Sequence, residues 1–172
     1  DEDLKTVPEL LHRGSYKEVL DIAAVALDKL SIRKVVYQDA LDAIRDSWQS
    51  IKAALKEGIR DHEADEQLSK GRKCVTNGDC DEAIDHARSS QDIIQTSLNA
   101  LKKLKDEFRS LKARIVLCEG LDMDVASFQK TMSEIEQGIN KGAVDKADDL
   151  VFQVKNELSA QEMEYNRGLL FY

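Results

Sequence analysis

Small and apolar side chains along this chain fall at steps of three and four, and the pattern restarts three times. Gly14, Gly78 and Gly142 stand 64 residues apart, and apolar or small residues recur at the same distances behind each. The first set is Tyr16, Val19, Ala23, Ala26 and Leu30; the second is Cys80, Ala83, Ala87, Ser90 and Ile94. The third is Val144, Ala147, Val151, Val154 and Leu158. Such steps are the stripe of a helix packed along its length. Asp21, Asp85 and Asp149 also recur, but they lie off the stripe and read as solvated positions. A fixed period longer than one helix marks a repeat protein.

Neither Ser15 to Glu57 nor Asp79 to Glu119 contains proline or glycine, so each is expected to be one uninterrupted helix. The apolar spacing carries on through Tyr37, Leu41, Ile44, Trp48, Ile51 and Leu55 in the first. Leu98, Leu101, Leu104, Phe108, Leu111 and Ile115 continue it in the second. A helix of about 40 residues is roughly 60 Å long. Ser15 with Glu18 and Asp79 with Glu82 have the spacing of capping boxes at the starts, and Gly58 and Gly120 read as stops. Shorter helices fit Asp61 to Val75, Asp124 to Ile139 and Asp1 to Leu11, with Pro8 near the first turn. Short connections make neighbours antiparallel.

The expected fold is therefore all-α: an elongated rod of tandem three-helix bundles with a period of about 64 residues, its long helices shared between bundles. Residues 1–33 read as a truncated repeat, 34–97 as one bundle and 98–172 as the next. Gly78-Asp-Cys-Asp-Glu-Ala-Ile-Asp resembles the second helix of a tetratricopeptide repeat, and Tyr16, Val19 and Ala26 match the same pattern. That likeness covers about a dozen residues per copy, after which these helices continue where that family, with its period of about 34, turns. The sharing of long helices is similar to spectrin-like repeats. Both resemblances imply scaffolding or protein binding and carry no catalytic residues.

Composition narrows the function further. One proline among 172 residues suits long helices, and a net charge of −8 without a basic cluster argues against nucleic acid. Cys80 and Cys118 sit near opposite ends of one expected helix, roughly 57 Å apart, too far for a bond. Cys74 and Cys80 flank a turn; reduced thiols in a reducing, cytoplasmic compartment are the expectation for all three. His12, His62 and His86 show no ligand spacing, and neither a phosphate loop nor a nucleophile motif occurs, so no metal, cofactor or enzymatic activity is expected. Trp48 reads first as core and second as an interface anchor. Leu169, Leu170, Phe171 and Tyr172 read as an apolar end wanting a partner, as in a piece cut from a longer array. The function expected is a rigid spacer or protein-interaction scaffold, monomeric or homodimeric, with an unidentified protein partner. A self-associating coiled coil and a peptide-binding solenoid are the alternatives.

Overall fold

The computed structural model describes residues 2–169, which are all-helical with no strand among them. The elements are α1 (Glu2–Lys5), α2 (Val7–His12), α3 (Tyr16–Lys56), α4 (His62–Asn77), α5 (Cys80–Gly120), α6 (Phe128–Asn140) and α7 (Val144–Leu169). The two long helices each run 41 residues without a break, as the absence of glycine and proline leads one to expect. Two short elements differ from expectation. The first stretch divides at Thr6, because Pro8 has no N–H to return to the carbonyl of Leu4. Residues 124–127 stay outside α6, and Asp124 there accepts the N–H of Ala126 at 3.1 Å.

Among the described residues five take a positive φ: Gly14 (74°), Gly58 (84°), Gly78 (90°), Asp122 (57°) and Gly142 (68°). They form two series with the same 64-residue spacing, one at 14, 78 and 142 and the other at 58 and 122. Every one of these turns closes the same way. The N–H of the left-handed residue donates to the carbonyl three back, and the next N–H donates to the carbonyl five back. The second stop expected at Gly120 is thus displaced: Gly120 completes α5 and Asp122 reverses the chain.

These turns also undo the expected capping boxes. Neither Ser15 nor Asp79 makes a side-chain cap bond. Each directly follows a left-handed glycine, and its N–H is committed to Leu10 (3.0 Å) or Cys74 (2.9 Å). The backbone there has ψ of 55° and 68°, short of the extended geometry a cap requires. The well-formed cap is Asp61, at φ −117° and ψ 111°. Its Oδ1 accepts from Glu63 and Ala64, and its Oδ2 accepts from Ser97 of α5 at 3.0 Å.

Cross-helix bonds fix the directions. Going up α4, Asp61, Ala64 and Gln67 meet Ser97, Ser90 and His86 going down α5, so this pair is antiparallel. The long helices instead run parallel. Glu57–Lys105 joins α5 to the residue just after α3, and Glu107–Lys155 and Arg114–Glu162 join α5 to α7. Each pair is separated by 48 positions. One continuous core extends from Ile51 of α3 through α5 to Leu158 of α7.

The buried face of α3 is turned from the one expected. Ala40, Ser47, Ile51 and Ala54 are buried, while Tyr37, Trp48 and Leu55 are exposed. Following the large apolar residues misses a contact surface made of small ones. Positions 64 apart show the contrast: Ala40, Ser47, Ala54, Ala64 and Gly71 in the first half answer to Leu104, Leu111, Cys118, Phe128 and Ile135 in the second. The first half closes its space by backbone approach. A Cβ on Gly71 would lie 2.8 Å from Ile44 Cδ1 and 3.1 Å from the carbonyl oxygen of Ala83.

Candidate interaction surface

The largest departure from a packed helix is the first half of α3. Its equivalents in α5 and α7 bury the stripe: Ala83, Ala87, Ser90 and Ile94, and Ala147, Val151, Val154 and Leu158. In α3, Tyr16, Ala23 and Leu30 of the expected stripe are exposed and Val19 and Ala26 are half-buried, while Leu20 and Leu27 beside the stripe are exposed too. One flank, at Val19, Ile22 and Ala26, is half-buried, and α1 and α2 both contact α3. Val25 and Ile32, on the far side, are exposed as well. The recurring aspartates Asp21, Asp85 and Asp149 are all exposed, as their place off the stripe requires.

Trp48 belongs to the surface rather than the core, with 46% of its area exposed. The Arg72 guanidinium of α4 stands over its ring at 5.4 Å from the centroid, a cation–π clasp between α3 and α4. The two positions 64 further on are Lys112 and Glu136, which form an ion pair at 2.9 Å between α5 and α6. Beside that pair lies an open groove of about 350 Å³, with Ile115, Val116 and Met132 in its lining.

Where the α3–α4 and α6–α7 turns meet, backbone touches backbone. A Cβ on Gly142 would lie 2.2 Å from the carbonyl oxygen of Gly58, and one on Gly58 would lie 3.2 Å from Gly142 N. The junction sits beside Ser97 and Ala100, halfway along α5. Gly58 and Gly142 therefore act as a pair, a role that their spacing alone could not disclose. A Cβ placed on Gly14 or Gly78 would meet nothing within 4 Å, so their positive φ is their whole requirement.

The polar groups form struts between helices. Lys155 holds the Glu107 carboxyl below its ordinary range, chiefly through their 2.6 Å hydrogen bond, and Lys105 does the same to Glu57. Arg114 donates to Ser159 and Glu162, and the Cys118 thiol donates to the other oxygen of Glu162. Burial, reinforced by Glu162, pushes the Cys118 thiol up; burial, then Glu82, does so for Cys74. All three cysteines are free thiols. His86 bonds Gln67 at 2.8 Å between α5 and α4. Among the described residues no group of three or more His, Cys, Asp or Glu is placed to hold a metal ion. No helix among them is long and apolar enough to cross a membrane.

Leu169 is the last residue of α7, and Leu170, Phe171 and Tyr172 lie outside the described residues. No protein-family model, no curated protein and no solved structure matches the chain.

Proposed function

We propose that this chain is a non-enzymatic spacer and scaffold, a rod of tandem three-helix units whose long helices pass from one unit into the next. The observation that carries this reading is α5. Its first half packs with α3 and α4, its second half packs with α6 and α7, and it is unbroken between. The left-handed turns at 64-residue intervals and the constant 48-position offset of the long helices support the same reading. So does the surface: 12237 Å² is exposed, against roughly 8,500 Å² for a compact protein of this mass. Small-angle scattering tests it. The radius of gyration is expected well above the ~16 Å of a compact chain of this length, and a value near that figure overturns the rod.

The uncovered apolar residues of α3 favour one second reading, a module that self-associates through that helix. Sedimentation velocity separates the two: an elongated monomer supports the spacer, and a dimer supports self-association.

A further inference from the structure

The exposed face of α3 has a counterpart elsewhere in the fold. On α5, the flank carrying Ala83, His86 and Ser90 faces the short helix α4: Ser90 donates to Ala64 at 2.8 Å and His86 meets Gln67. The matching flank of α3, with Val19, Ile22 and Ala26, is half-buried, and the short helices α1 and α2 both contact α3. The adjoining flank serves the long helices. Lys155 on that flank of α7 bonds Glu107 of α5, and Val151 and Leu158 beside it are buried. The residues of α3 in those places are Ala23, Leu27 and Leu30. Like Tyr16 and Leu20 they are exposed, so among the described residues the long-helix seat of α3 is open where those of α5 and α7 are filled.

Resting on the rod reading, we propose that this face seats the second half of another long helix of the same kind, lying parallel to α3 at the 48-position offset seen twice within the chain. The occupant is an amphipathic helix with the apolar stripe of residues 98–120, joined ahead of α1 as α5 is joined to α6. Continuity with the α3–α5 and α5–α7 contacts selects it, because it presents to α3 the surface that α5 presents to α7. Leu27, where α5 and α7 carry Gln91 and Lys155, makes the α3 seat more apolar than its counterparts.

The period specifies the experiment. Asp1 and Gln129 are 128 positions apart, two periods, so a second copy of residues 98–128 fused directly before Asp1 continues the register without a gap. Hydrogen exchange across residues 16–37 is compared in the parent and extended chains. Exchange there is expected to slow by about tenfold or more in the extended chain. The slowing should vanish when the added copy carries Leu101→Asp, Leu104→Asp and Leu111→Asp at its equivalent positions. Unchanged exchange beside a helical added segment overturns the proposal. Slowing in the parent chain with concentration, alongside a dimer in sedimentation, also overturns it by making a second copy the occupant. Scattering on the parent chain reports separately on the rod, so failure of the seat and failure of the rod are distinguishable.

Discussion

At the scale of single residues, what looks alike in the sequence does different work. Gly78 and Gly142 share a place in the pattern and a positive φ, yet only Gly142 abuts another backbone. Gly78→Ala should therefore cost only the left-handed strain, about 1 kcal/mol. Gly142→Ala must in addition separate the two turns, and a loss of at least ~3 kcal/mol is expected, read by urea denaturation. Equal losses would refute the contact. Ser47 supplies a case of opposite sign. Its Oγ is fully buried with no hydrogen-bond partner, so Ser47→Ala should stabilise the protein by about 1 kcal/mol in the same assay. Ser90→Ala removes a made bond to Ala64 and should destabilise by a similar amount.

At the scale of elements, the long helices were legible because nothing interrupts them, and their orientation on one another was not. The stripes of α5 and α7 read correctly: small residues such as Ala83, Ala87, Ser90 and Ala147 were found by the repeat, and leucine, isoleucine, valine and phenylalanine mark and fill the rest. In α3, Ile44 and Ile51 read correctly, but Trp48 and Leu55 read one position off, because Ser47 and Ala54 beside them, like Ala40, make contact through closeness rather than bulk. Asp122 was missed as a turn for a related reason: a left-handed aspartate carries no glycine to announce it, and only the distance from Gly58 could have found it. Elements are also tied by charge. Glu107 has a lowered folded pKa, so its stabilising contribution is complete above the ordinary carboxylate range and is lost as pH falls through the lowered value. Lys155→Met relieves that depression. The variant should be less stable at neutral pH, and its stability should fall less steeply than the parent's on further acidification below the ordinary range. Parallel slopes in denaturation series down to acid pH would show that the pair does not couple α5 to α7.

At the scale of the whole molecule, α5 belongs to both halves and their cores are contiguous. The halves should therefore melt together. Leu158, fully buried in α7, lies in the half away from Trp48. Leu158→Ala should cost about 2–5 kcal/mol and lower the midpoint recorded by Trp48 fluorescence together with that recorded by circular dichroism. A tryptophan midpoint that stays put would mean two independently folding pieces.

The meeting of Gly58 and Gly142 beside the middle of α5 has a mechanical consequence. Flexing the molecule so that the two turns press together drives peptide against peptide, where there is no side chain to give way. Flexing it in the opposite sense opens that seam, and the resistance comes from the core contacts beside it and from the curvature of α5, which a long helix accepts gently. The joint is stiff in one sense and compliant in the other, as in a carpenter's rule fitted with a stop. Thermal bending about this point should be lopsided, and a pulling or bending load would find the molecule yielding toward one side first.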